Sequence, residues 1–129
     1  MNNKVKTVLF VCVANACRSQ LAEAISNYFF HNQWKAFSAG SSPGREVNSK
    51  AIRSLSSIGI AHKGKTKSIS QIEEKKYDYI VGMGCGDACP IIPGAQILEW
   101  SIPDPKLFES KKFNKVRDMI KEKIESELL

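Results

Sequence analysis

The stretch from Val5 to Cys12 (VKTVLFVC) is a near-continuous apolar run that ends on a cysteine. A strand with one wet face would alternate polar and apolar residues. A run of this kind predicts a central parallel strand covered on both faces. Helical periodicity starts at about Arg18 and extends to about Phe30, with Leu21, Ile25, Tyr28 and Phe29 as its apolar stripe. A buried strand that feeds a helix through a short turn is the first half of a right-handed β–α–β unit.

The rest of the chain repeats the alternation. Trp34 to Ala39 reads as a second strand, closed by Gly40 and the Ser41-Ser42-Pro43-Gly44 loop. Asn48 is placed to cap a second helix, with Val47 and Ile52 as a hydrophobic staple. Ala51, Leu55 and Ile58 form that helix's stripe, and Gly59 stops it. Ile60 to Ile69 is basic and loop-like, and Ser70 with Glu73 suggests a capping box for a short helix. Tyr77 to Met83 reads as a third strand, Gly84 to Ala95 as a Gly, Pro and Cys-rich loop, and Ala95 to Glu99 as a short fourth strand. Phe113, Val116, Ile120 and Ile124 mark a C-terminal amphipathic helix. The expected fold class is α/β: a small four-stranded parallel sheet with helices on both faces, three layers in all. With 129 residues and no linker or repeat, one domain spanning 1–129 is expected. In such sheets ligands bind beyond the carboxyl ends of the strands. Three segments belong there: Cys12 to Arg18, Cys85 to Cys89, and Ile102 to Pro105.

Charge is unevenly distributed. Residues 1–65 hold nine Lys/Arg against two Asp/Glu, whereas 66–129 hold ten against eleven. The imbalance suits an anionic partner near the first half, or simply a solvated basic surface. No nucleic-acid motif or aromatic-basic stripe accompanies it, so nucleic acid is not expected as a partner. No apolar run approaches the roughly 20 residues of a membrane span, so no membrane partner is expected either. Lys4, Lys6, the run Val8 to Ala14 and Ala14-Asn15-Ala16 imitate a signal peptide, but Asn15 breaks the run early. The four cysteines are too few for a disulfide scaffold, which points to a reducing, cytoplasmic compartment.

The turn after the first strand carries the chemistry. It reads Cys12-Val13-Ala14-Asn15-Ala16-Cys17-Arg18-Ser19 and opens a helix. Backbone N–H groups from Val13 to Ser19 can wrap one tetrahedral anion. The helix N-terminus adds its dipole, and Arg18 adds a planar fork of donors. The same field favours a thiolate over a thiol at Cys12, and Ser19 can donate to that sulfur. Asn15 tolerates the left-handed conformation that a tight loop needs. A strand-to-helix turn with two buried cysteines is the plainer alternative.

The segment Val8-Leu-Phe-Val-Cys12-x-x-Asn15-x-Cys17-Arg18-Ser19-x-x-Ala22-Glu23 resembles the low-molecular-weight tyrosine phosphatase superfamily, with the likeness running from Val8 to the C-terminal helix. The resemblance implies Cys12 as nucleophile, Arg18 as oxyanion binder and Asp104, before Pro105, as general acid. That superfamily hosts phosphatases and arsenate reductases on one cradle. Gln20 after Arg18-Ser19, Lys106 after Asp104-Pro105, Trp100-x-x-x-Asp104 and Phe113-x-x-Val116-Arg117-Asp118 resemble the reductases; Ser38-Ala39-Gly40 occurs in both branches. Most telling is Met83-Gly-Cys85-Gly-Asp-Ala-Cys89-Pro90, which resembles the segment where the reductases keep their redox thiols. By resemblance, Cys85 attacks the Cys12 sulfur and Cys89 then takes over the disulfide, which a thiol reductant reopens. The well-known thioredoxin-coupled pattern has six residues between these cysteines; here there are three, Gly86, Asp87 and Ala88. The reductant is therefore open between thioredoxin and a small thiol. A zinc half-site and two inert buried cysteines are the rival readings of Cys85 and Cys89, although no Cys-x2-Cys spacing occurs. Cys17 reads either as a redox neighbour of Cys12 or as a packed small residue.

Some reductases of this kind hold a potassium ion. Asn15, Glu23 and Ser38 match three of its ligands, but the fourth, an Asp, falls near Ser68, so any such site is expected to be weak or absent. No other metal and no tightly bound cofactor are expected. His31 and His62 have no motif context and read as surface residues. The leading expectation is a monomeric arsenate reductase acting on arsenate or a phosphate-like oxyanion. The alternatives are a tyrosine phosphatase with a redox-sensitive cysteine pair and a non-catalytic oxyanion- or metal-binding regulator.

Overall fold

The structure, a computed structural model, describes residues 5–72, 76–84 and 94–128. Its elements run β1 (Lys6–Cys12), α1 (Arg18–Phe29), β2 (Trp34–Gly40), α2 (Ser49–Ser56), β3 (Tyr79–Gly82), β4 (Gln96–Glu99) and α3 (Ser110–Glu127), with a 3-10 turn at Ile69–Gln71 before β3. The four strands form one sheet in the order β2-β1-β3-β4, and every pairing is parallel. β1 is central: Val8 lies opposite Ala36 of β2 and Tyr79 of β3. Strand order reverses on either side of β1, so the chain leaves a crevice beyond its carboxyl end, at Cys12.

Strand alternation explains why β1 reads as a continuous apolar run. Val8, Phe10 and Cys12 point into the main core with Val81, Met83 and Trp100. There they meet Leu21 and Ile25 of α1, Ala51 and Leu55 of α2, and Phe113, Val116, Ile120 and Ile124 of α3. Leu9 and Val11 point the other way, into a smaller cluster with Ala39, Tyr77 and Ile80, flanked by Phe37, Ile69, Ile72 and Ala95. The three layers are thus unequal among the described residues. The α-helices cover one face, and the segment around the 3-10 turn covers the other. Each fully buried large side chain contributes roughly 1.5–3 kcal/mol.

Local signals mostly lie where the sequence puts them. The Asn48 side chain caps α2 by accepting the Lys50 N–H at 2.8 Å. Val47 is buried, but Ile52 is 39% exposed and is not a core residue. The capping box lies two residues earlier than expected, on Ser68 and Gln71; Glu73 lies outside the described residues. The α1 stripe also departs from expectation. Tyr28 and Phe29 are half exposed because the buried stripe shifts to Leu21, Ala22, Ala24, Ile25 and Ser26, which face β2 and the main core. The two rings pack edge to face at 4.9 Å, and the Lys121 ammonium sits over Phe29.

Arg117 is the one buried cation of α3. It donates to the Ser54 carbonyl at 2.9 Å and to Ser57 Oγ at 2.8 Å, at the C-terminus of α2. A cation there meets the negative end of the helix dipole. Phe113, fully buried, sits one helical turn before it. Phe113→Ala is expected to destabilise the fold by about 3–5 kcal/mol, read as a lowered urea midpoint with an unchanged slope.

Candidate active site

The turn from Cys12 to Arg18 is shaped from outside by the segment after β2. The carbonyls of Cys12, Val13, Ala14 and Ala16 accept hydrogen bonds from Ser41, Ser42, Gly44 and Asn48 respectively. In a trans peptide the following N–H points opposite to the carbonyl. The N–H groups of Val13, Ala14, Asn15 and Cys17 therefore turn inward. At α1 the N-cap position is Cys17, which makes no side-chain capping bond. The first-turn N–H groups of α1 are thereby left to an anion rather than to a side chain.

Gly40 makes this fit possible. A Cβ added there would lie 2.6 Å from the Val13 carbonyl oxygen and 3.0 Å from the Asn15 nitrogen. From the sequence Gly40 reads as a strand end and as part of Ser38-Ala39-Gly40; the close approach of two backbones is visible only in three dimensions. Asn15 has φ 53°, the only positive φ among the described non-glycine residues. Four hydrogen bonds hold it there. Its Oδ1 accepts from the Lys67 N–H at 2.9 Å and from Gln20 Nε2 at 3.1 Å. Its carbonyl accepts from Gln20 as well, and its Nδ2 donates to Ser19 Oγ at 2.7 Å. Ser19 Oγ lies 2.9 Å from Cys12 Sγ. With a lone pair engaged by Asn15, the Ser19 hydroxyl hydrogen is free to point at the sulfur.

Cys12 forms the floor of a pocket of about 150 Å³ whose wall includes Arg18, Asp104, Asn48 and Lys106. Arg18 is nearly buried; its Nη1 donates to the Ile102 carbonyl at 3.2 Å, and its Nη2 lies 3.8 Å from Asp104 Oδ2. Asp104 is half exposed and its Oδ1 accepts the Lys106 N–H at 3.1 Å. Lys50, at the start of α2, donates to the carbonyls of Lys106 and Phe108 at 3.3 and 2.9 Å, fastening the Asp104 segment to the opposite rim. Gly84 lies against Arg18: a Cβ there would collide with the guanidinium, and the φ of 103° is open to glycine.

The two described cysteines differ in kind. Burial, then the charges of Asp104 and Cys12, push the Cys17 thiol up from 9.0 to about 12, against Arg18 and a hydrogen bond from Asn48. Cys17 is therefore a neutral thiol at physiological pH. Both cysteines are free. The structure thus brings Cys12, Val13, Ala14, Asn15, Ala16, Cys17, Arg18, Ser19 and Asp104 together. Cys85 and Cys89 lie outside the described residues.

The residues expected for potassium do gather, but they do not fit that ion. Ser38 Oγ donates to Glu23 Oε1 at 2.7 Å, and the Lys67 ammonium lies 3.8 Å from the same oxygen. Lys67 also donates its backbone N–H to Asn15. A positive charge of the chain's own thus faces the carboxylate, and the Asn15 oxygen is already engaged twice. The set lacks the free, net negative oxygens that a cation needs.

Sequence reading left one group unrecognised. His62, taken for a surface residue, is half buried, and its Nε2 lies 2.7 Å from Oε1 of the fully buried Gln20. The partners are 42 residues apart in the chain, beyond the reach of any local motif.

The model of the family described as low molecular weight phosphotyrosine protein phosphatase matches residues 7–128. An arsenate reductase of Staphylococcus epidermidis is 36% identical over 126 residues, covering 94% of this chain and 95% of the relative. Among solved structures, the arsenate reductase of Archaeoglobus fulgidus superposes with a TM-score of 0.79 at 30% identity, over 91% of this chain and 94% of that one. The thioredoxin-dependent arsenate reductase of Corynebacterium glutamicum gives a TM-score of 0.76 at 31% identity and covers 97% of this chain. This chain spans only 61% of that protein's length.

Burial holds His62 below the ordinary imidazole value of 6.5, with Lys67 acting in the same direction and Glu23 against it. Between that lowered value and 6.5 the unfolded chain binds a proton that the folded chain does not. Stability is therefore expected to be full above about pH 6.5 and to fall as pH drops through the window. Urea midpoints measured across it check this, and His62→Gln should flatten the slope.

Proposed function

The chain belongs to the low molecular weight phosphotyrosine protein phosphatase family, and from that premise we propose that it reduces arsenate to arsenite with Cys12 as its nucleophile. One observation carries the reading: a nucleophilic sulfur, a guanidinium, a carboxyl group and inward-facing N–H groups share one pocket sized for a small oxyanion. The reductase relatives agree with it.

The proposed first step is attack of the Cys12 thiolate on arsenic. Arg18 and the N–H groups of Val13 to Ser19 hold the oxyanion charge. Asp104 gives a proton to the departing hydroxide, which leaves as water. The product is a Cys12–arsenate thioester of arsenic(V). In the second step the Cys85 thiolate attacks Cys12 Sγ. A disulfide forms, the sulfur–arsenic bond breaks, and its electron pair stays on arsenic, which leaves as arsenite. Cys89 then attacks Cys85, frees Cys12 as thiolate and leaves a Cys85–Cys89 disulfide. Thioredoxin or a small thiol reduces it, as the relay requires in a reducing, cytoplasmic compartment. Gly84 packs against Arg18 and Cys85 follows it in sequence, which supports Cys85 as the attacking thiol. The Cys85–Cys89 spacing of three intervening residues permits a disulfide if the Cα atoms come within about 7 Å. The cradle residues all come from one chain, which supports a monomer as the working unit.

Phosphomonoester hydrolysis is the second reading, because the same nucleophile, arginine and acid serve it. Lys106 at the pocket mouth, with no aromatic ring among the described lining residues, favours a free oxyanion over an aryl ester.

The test is arsenate-dependent NADPH consumption, coupled first to thioredoxin and its reductase and then to small thiols. Cys12→Ser should lose turnover to background. Asp104→Asn should lower kcat about a hundredfold. Cys85→Ser should still take up arsenate but release no arsenite. Full turnover of Cys85→Ser with thioredoxin would sink the relay, and rapid aryl phosphate hydrolysis without arsenite would favour the second reading.

A further inference from the structure

The hydrogen bonds behind the cradle have a common direction. Lys67 N–H fixes the Asn15 amide so that Oδ1 faces Lys67 and Nδ2 faces Ser19. Gln20 Nε2 sits among three acceptors, Asn15 Oδ1, the Asn15 carbonyl and the Lys65 carbonyl at 2.9 Å. That fixes Gln20 Oε1 toward His62, and an amide oxygen only accepts. His62 Nε2 must therefore carry a hydrogen and donate it. The sequence of donors is then His62 to Gln20, Gln20 to Asn15, Asn15 to Ser19 and Ser19 to Cys12 Sγ. Four head-to-tail bonds point their hydrogens at one sulfur. Bonds aligned this way polarise one another, and each is stronger for the one behind it.

Gly64 gives independent support. Its backbone is not in the left-handed region, so its conformation does not require glycine. Its location favours glycine: an added Cβ would press on the side-chain ends that meet here, His62 Nε2 and Gln20 Oε1. The missing side chain leaves room for this one contact.

We infer that His62 is a positioning residue for the Cys12 nucleophile, acting through Gln20, Asn15 and Ser19 to hold the sulfur as a thiolate. Neutral His62 with its hydrogen on Nε2 suffices, and a protonated ring keeps the same donor. The charged groups facing it are Glu23 of α1 and Lys67 of the loop before β3, which oppose each other. The inference rests on Cys12 being the nucleophile of the proposed reaction.

Alkylation by iodoacetamide, read on the Cys12 peptide by mass spectrometry, tests it without arsenate. A failure here therefore leaves arsenate reduction standing, and a failure of arsenate reduction leaves this measurement valid. His62→Ala should slow Cys12 alkylation about threefold at about pH 6, with rates converging with those of the parent at about pH 10. His62→Gln, which keeps an N–H donor, should restore most of the rate. Gln20→Met, which keeps volume but removes the link to Asn15, should slow it roughly tenfold at the lower pH. Thermal unfolding confirms that each variant is folded; if Gln20→Met is not, the His62→Ala and His62→Gln pair decides. A parental pH profile for His62→Ala would overturn the inference. So would slowing by one factor at every pH, which is the mark of altered access.

Discussion

Asn15 is the hinge of the whole site. A side chain at φ 53° carries a backbone cost. The cost is met by Ser19 and Gln20, four and five residues on in α1, and by Lys67 on the loop before β3. Release of that residue would let the turn open, and the inward N–H groups would lose their common focus. The cradle is thus a product of packing between three segments, with the Cys12–Arg18 stretch supplying only the ring.

Both ends of the pocket are fastened by cations to backbone carbonyls. Arg18 reaches the Ile102 carbonyl and Lys50 reaches those of Lys106 and Phe108. Charge-assisted bonds to carbonyls are strong and directional without neutralising the cation. Arg18 therefore stays positive toward the pocket while it also orients the segment that carries Asp104. The same economy appears at Glu23, where Lys67 supplies from within the chain the positive charge that a bound ion would otherwise bring.

What could be read from the sequence follows from range. The buried parallel strand, the anion turn and the helix after it are contiguous, so their pattern is written in consecutive residues from Val5 to Ile25. The α2 cap at Asn48 was legible for the same reason. Gln20 reads from the sequence only as an unusual neighbour of Arg18-Ser19; its bonds to Asn15 are local, but its Lys65 acceptor and its His62 donor lie 45 and 42 residues on. Gly40 reads as punctuation from the sequence, whereas it is small because a second backbone passes close by. The misplacement of the capping box at Ser70 rather than Ser68 is an ordinary boundary error. Tyr28 and Phe29 were assigned inward by periodicity alone, which cannot tell where a helix outruns the core beneath it.

The wrapping of the Cys12–Ala16 carbonyls by residues 41–48 has a consequence for how the molecule assembles. Those bonds cannot form until β2 has crossed over and paired with β1. The Lys67 bond to Asn15 needs the loop before β3 as well. Anion-binding competence thus requires the β1–β2 pairing and that loop to be in place together. An oxyanion that binds only the finished ring stabilises the native chain as a whole, by RT ln(1 + [L]/Kd). The ligand is in that sense a term in the folding equilibrium of the entire chain, and its concentration sets how tightly the remote strands are held together.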